Sequence, residues 1–127
     1  MAIEGNYESI TLTAAADLSG LQYFPVTAAG AQATGATAYA TAIGLNQEKP
    51  LSGEHFRCAW KGELKFRAGG AVAAGGWMTI NASGYSVAAT SGDITIGRAY
   101  LAVTSGSIGT GLFDFSNYPG TSVVSHA

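Results

Sequence analysis

Charge is scarce in this chain. Lys and Arg number 6, Asp and Glu 8, and charged residues make up 11% of the 127, against about a quarter in ordinary soluble domains. The formal net charge of −2 lacks the basic balance that accompanies nucleic-acid binding. A single cysteine, Cys58, excludes an internal disulfide framework. Two histidines, with no His-x-x-x-His or Cys-x-x-Cys spacing, leave a zinc site without support. No lysine directly follows a glycine, so the Gly-Lys-Ser/Thr phosphate cradle is missing. The uncharged stretches 18–47 and 68–92 are broken by Gly, Ser, Thr, Gln or Pro, and neither offers the ~20 apolar residues of a spanning helix. The opening Met-Ala-Ile-Glu-Gly-Asn-Tyr-Glu has two acids and no basic residue, unlike an export signal. These absences set expectations of synthesis in the cytoplasm, no membrane, no nucleic acid, no metal and no cofactor.

What is present is a strict alternation from His55 to Arg67. Even positions read Phe56, Cys58, Trp60, Gly62, Leu64 and Phe66, and odd positions read Arg57, Ala59, Lys61, Glu63, Lys65 and Arg67. A strand sends alternate side chains to opposite faces, so a period of two predicts a half-buried β-strand. No slip in phase is visible, and the segment reads as one ribbon with a greasy face and a charged face. Gly62 marks a bend or a close backbone approach. Cys58, on the apolar face, reads as a buried thiol.

The rest of the chain repeats short strand signals between turn residues. Strands are expected at Ser9–Thr13, Gln22–Thr27, Ala38–Leu45, Trp77–Asn81, Tyr85–Ala88, Asp93–Val103 and Leu112–Phe115. Pro25 places its strand at an edge or a bulge. Residues 46–54 read as an exposed loop, and Ala82-Ser83-Gly84 as a hairpin turn. The glycine-rich run Gly106-Ser107-Ile108-Gly109-Thr110-Gly111 has the wrong spacing for a dinucleotide fingerprint and reads as a flexible inter-strand loop. The expected fold is all-β: a small antiparallel β-sandwich or barrel over residues 9–116. An N-terminal arm, 1–8, and a C-terminal tail, 117–127, flank it.

Chemistry is thinly represented. Nucleophilic catalysis needs a Ser, Thr or Cys beside a positioned base, yet His55 falls in a loop beside Glu54 and His126 stands next to the C-terminus. The expectation is that the chain is not an enzyme. The row Arg57, Lys61, Lys65 and Arg67 reads first as a solvated face that discourages edge pairing. Its second reading is a contact stripe for an acidic protein surface, with Glu63 setting register. Trp77, Met78, Ile80 and Tyr85 read as hairpin core.

The order of elements in the second half resembles a known family. Gly70-Ala71-Val72-Ala73-Ala74-Gly75-Gly76-Trp77-Met78-Thr79-Ile80, the turn at Ser83-Gly84, and Ile96-Gly97-Arg98-Ala99-Tyr100-Leu101 resemble the strands of tailed-bacteriophage capsid decoration, or head cement, proteins. Ile10-Thr11-Leu12-Thr13-Ala14 is similar to the family's opening strand. The insert around 28–53 and the tail after Phe115 depart from it. The resemblance implies a non-enzymatic virion structural protein, often a homotrimer, on the outer capsid surface. It would brace joints between major capsid protein subunits. It makes Ile3, Glu4 and Tyr7 of the arm, with Arg57, Lys61, Lys65 and Arg67, the candidate capsid or subunit contacts. Two other classes stay open. One is another virion subunit, of a tail tube or head fibre. The other is a carbohydrate-binding β-sandwich using exposed Trp and Tyr.

Overall fold

Among the described residues, eight strands follow the period-two signals, with one helical turn between them. The computed structural model describes residues 7–90, 93 and 95–115. In chain order the elements are β1 (Tyr7–Thr13), β2 (Pro25–Thr27), α1 (Ala38–Thr41), β3 (Ala42–Asn46), β4 (His55–Arg67), β5 (Trp77–Ile80), β6 (Ser86–Ala88), β7 (Gly97–Ala99) and β8 (Ile108–Asp114). All strand pairs are antiparallel and form one sheet in the order β2-β3-β4-β8-β7-β5-β6, with β1 pairing β4. Just after β4, Ala68 bridges Ser86 of β6, and the Gly69 amide donates to the Ser86 carbonyl. That contact brings β6 back to the end of β4 and leaves the sheet a nearly closed barrel. The fold is all-β, as the alternation predicts.

The long ribbon β4 organises the molecule, but its phase slips. Glu8 is opposite Lys61 and Ser9 opposite Ala59, so Trp60 has no partner in β1. One extra residue in one strand is a β-bulge, and it exchanges the two faces beyond it. Phe56 and Cys58 accordingly pack with Ala14, Leu18 and Val26 in a smaller core. Ala59, Trp60, Leu64 and Phe66 pack into the larger barrel core with Leu45, Met78, Ile80, Ile96, Phe113 and Phe115. The single greasy face therefore serves two cores on opposite sides of the ribbon. Gly62 absorbs the bend with φ 116°, a conformation only glycine adopts without strain. The larger core is ordered by ring contacts: Phe66 meets Phe113 edge-on at 5.6 Å, and Phe113 stacks on Phe115 at 6.0 Å.

Several local expectations give way to tertiary context. The 38–45 strand divides into one helical turn and β3, because Ala38–Thr41 holds alanines with no glycine. Of the 93–103 strand, Gly97–Ala99 forms β7, and Val103 makes an isolated antiparallel bridge to Val72. The glycine run after Gly106 is not a loop: Ile108–Asp114 is a full strand paired to β4 and β7. Its glycines face inward, where a Cβ on Gly109 would lie 2.7 Å from Cζ of Phe66. Asn46, expected to open an exposed loop, is fully buried. Its Nδ2 donates to the Leu21 carbonyl, and its Oδ1 accepts the Glu48 amide at 2.8 Å. Tyr7 and Glu8, expected in the arm, belong to β1. Residues 1–6 and the tail 117–127 lie outside the described residues.

Candidate interaction surface

Sheet register places a band of residues on the outer side of the barrel. After the Trp60 bulge, the odd residues of β4 point away from the larger core, and each shares its face with its partner in β8. The pairs are Lys61 with Asp114, Glu63 with Leu112, Lys65 with Thr110, and Arg67 with Ile108. Leu112 also lies opposite Arg98 in β7, and Arg98 opposite Trp77 in β5. Glu63, Leu112, Arg98 and Trp77 thus make one row across four strands. The Arg98 guanidinium sits 4.6 Å above the Trp77 ring while its Nε donates to the Gly75 carbonyl. A cation over an aromatic face is worth about 0.5–1 kcal/mol at such an exposed site.

Apolar residues interrupt the charges. Leu112 is 50% exposed, Ile108 47%, Tyr100 43% and Leu101 76%. Ile108 and Leu112 stand outward because Gly109 and Gly111, the alternate positions of β8, give their space to Phe66 and Phe113. The Tyr100 hydroxyl is held above its ordinary pKa by desolvation first, then by the charge of Glu63 and a hydrogen bond to it. A shallow cleft of about 210 Å³ adjoins the row, lined by Trp77, Thr95, Arg98, Leu112 and Asp114 among others. The band combines exposed aromatic and aliphatic residues with Lys61, Lys65 and Arg98.

The candidate contacts named from the sequence scatter. Ile3 and Glu4 lie outside the described residues. Tyr7 is half-buried and packs on the larger core. Arg57 stands before the bulge, so it leaves the ribbon on the opposite side from Lys61, Lys65 and Arg67. Its Nε lies 3.4 Å from Oε2 of Glu48, an exposed pair worth at most about 1 kcal/mol. Arg67 is half-buried, and its Nη1 donates to the Gly106 carbonyl at 2.8 Å. Lys61 and Lys65 are both exposed and stand on the band. Sequence reading missed Tyr100, Leu101, Ile108 and Leu112. For Ile108 and Leu112 the signal was there in the Gly109-x-Gly111 alternation, which assigns the small residues inward and the large ones outward.

Elsewhere the chemistry stays thin. A cleft of about 400 Å³ is lined by Tyr39, Asn81, Val87, Thr90 and Asp93, with others. Its polar groups serve local turns: Asn81 Oδ1 accepts the Ser83 and Tyr85 amides, and Asp93 Oδ2 accepts the amide and hydroxyl of Thr90. His55 Nδ1 pairs with the Thr13 hydroxyl at 3.0 Å on the exposed surface. Burial pushes the Cys58 thiol up to about 12, far from the thiolate a nucleophile requires. Among the described residues no group of three His, Cys, Asp or Glu is placed to hold a metal ion, and no helix is long and apolar enough to cross a membrane.

No protein-family model matches the chain. No curated protein matches it either. Among solved structures the chain is similar to the N base of the head fibre protein gp8.5 of bacteriophage phi29, with a TM-score of 0.63 and 14% identity, over 94% of this chain and 98% of that one. At that identity the likeness is one of fold: the nearly closed antiparallel barrel described above is also the architecture of a bacteriophage head-fibre base.

Proposed function

We propose that this chain is a non-enzymatic structural protein of a bacteriophage virion. It docks on the outer capsid surface as a homotrimer and braces joints between major capsid protein subunits. The observation that carries this reading is the fold shared from end to end with a phage head-fibre base. The contact is made by the outer band of β4, β8, β7 and β5, centred on Tyr100, Ile108 and Leu112 with Lys61 and Lys65 at its side. A surface repeated over many capsid sites needs only modest affinity at each, because multivalency multiplies weak contacts.

Incubation of the purified protein with undecorated capsids, followed by imaging, tests the role. Regular density on the lattice is the expected result, with capsids that withstand heat better than bare ones. Leu112→Asp and Tyr100→Ala alter exposed side chains, so both variants keep their melting temperature while capsid affinity falls about tenfold or more. Unchanged binding by both would move the contact off this band. The same likeness of fold supports a second reading, a head-fibre subunit; extended projections beyond the domain-sized density would favour it. A protein that ignores capsids and polymerises alone belongs to a tube instead.

A further inference from the structure

Exposed charge on the outer band is of one sign. Lys61, Lys65 and Arg98 are exposed, whereas the acids that share the band, Glu63 and Asp114, are half-buried. Glu63 also accepts a hydrogen bond from the Tyr100 hydroxyl. The chain as a whole carries −2, so this is a basic face on an acidic molecule. Arg98 differs from the two lysines in how it is held. Its guanidinium lies 4.6 Å over the Trp77 ring, and its Nε donates to the Gly75 carbonyl at 3.1 Å. The turn that supplies this carbonyl is tied to β7, since the Gly75 amide donates to the Ala99 carbonyl and the Ala99 amide to the Gly76 carbonyl. Trp77 belongs to β5, on the opposite side of β7 from Asp114 in β8, so the ring draws the cation away from that carboxylate. The ion pair found among the described residues, Arg57 with Glu48, does not involve Arg98.

We propose that Arg98, held by Trp77 and Gly75, is the carboxylate-binding anchor of the band, and that the partner presents an Asp or Glu side chain to it. With the Nε and one ring face engaged within the chain, the two Nη groups are the fork that Arg98 offers outward. A guanidinium whose plane is already fixed loses little freedom on meeting a carboxylate, and the paired N–H···O bonds are charge-assisted. The cleft of about 210 Å³ beside it, between Trp77 and Leu112, gives an apolar wall to the methylenes that carry such a carboxylate. Arginine and tryptophan are also the residues on which interface energy concentrates. The inference rests on the docking role proposed above and adds the chemistry of the partner: an acidic patch of the major capsid protein, opposite Arg98, Lys61 and Lys65. A phosphate backbone would meet the same cations, but the exposed Ile108 and Leu112 among them favour a protein.

Capsid binding at two salt concentrations tests it. Arg98→Gln is expected to keep the far-UV circular dichroism of the unaltered protein and to bind bare capsids about tenfold more weakly at low salt. Raising the salt from about 50 to about 500 mM is expected to weaken the unaltered protein about tenfold and Arg98→Gln by less, because one screened pair is gone. Arg98→Lys keeps the charge without the fork and is expected to fall between the two. Arg57→Gln removes the same charge on the opposite side of the ribbon and is expected to bind as the unaltered protein does. Full binding by both Arg98 variants, or an equal loss in Arg57→Gln, overturns the proposal. So does a loss in Arg98→Gln with the salt response unchanged, which means a neutral acceptor. Release of the bound protein by duplex DNA, or self-association that disappears in Arg98→Gln, would seat a phosphate backbone or a second copy on Arg98 and overturns it too. An intact protein that binds no capsids overturns the docking role and this anchor with it; capsid binding indifferent to Arg98 overturns the anchor alone.

Discussion

Replacing Gly109 or Gly111 by alanine separates a strand from a loop by the sign of its effect. Were residues 106–111 a flexible loop, alanine would restrict the unfolded chain and stabilise the protein by about 0.4–1 kcal/mol. In the barrel the added methyl has no room. At Gly109 it would meet three ring atoms of Phe66 at 2.7, 3.0 and 3.4 Å, and Phe66 is fully buried and cannot swing away. At Gly111 it would lie 2.5 Å from the Arg98 carbonyl oxygen, 3.1 Å from Phe113 and 3.2 Å from Met78. A backbone oxygen yields less than a side chain, so Gly111→Ala is the worse of the two. Overpacking of this kind costs about 1–3 kcal/mol, with Gly111→Ala at the upper end. For a domain of this size each kcal/mol moves the melting point by roughly 3–5 °C. Gly20 is the control: a Cβ there meets nothing within 4 Å, and its φ is not in the left-handed region. Thermal and urea unfolding of the three variants gives the answer. If Gly109→Ala and Gly111→Ala melt at or above Gly20→Ala, the inward packing of β8 is refuted. The outward placement of Ile108 and Leu112 fails with it.

Other consequences are as direct. Asn46→Leu leaves the Leu21 carbonyl and the Glu48 amide without the partners they have now; a loss of about 2–3 kcal/mol in urea unfolding is expected, and a loss under 0.5 kcal/mol would contradict it. Ser86 Oγ is buried without a hydrogen-bond partner, so Ser86→Ala is expected to be neutral or stabilising by up to about 1 kcal/mol; a clear drop in melting temperature would mean that the hydroxyl is satisfied. Burial raises the Cys58 thiol from 9.0 to about 12, so the folded state holds that proton more tightly than the unfolded chain. The stability this contributes is complete below pH 9 and is lost as pH rises from 9 towards 12, a decline that Cys58→Ala should lessen. At pH 8 a thiol reagent should label Cys58 slowly in the native protein and rapidly in urea; rapid native labelling would expose the smaller core.

The sequence alone determined the strand class and most of the apolar set. The alternation at 55–67, the edge position of the strand holding Pro25, the hairpin turn after Ile80, the bend at Gly62 and the buried Cys58 all follow from local rules of side-chain direction and turn chemistry. Which core each apolar residue joins was decided elsewhere. The slip at Trp60 exists because β1 offers no partner there, and a single strand's pattern contains no record of its neighbour's register. It sends Arg57 to one side and Lys61, Lys65 and Arg67 to the other, breaking the basic row that the sequence draws as one line. The glycines of β8 look like loop punctuation until Phe66 and Phe113 are seen filling the space beside them. Asn46 looks solvated until Leu21 and Glu48 close over it. A strand's own residues fix its period, because that is backbone geometry. Faces, partners and exposure are fixed by which strands meet, and residues distant in the chain settle that only once the barrel closes.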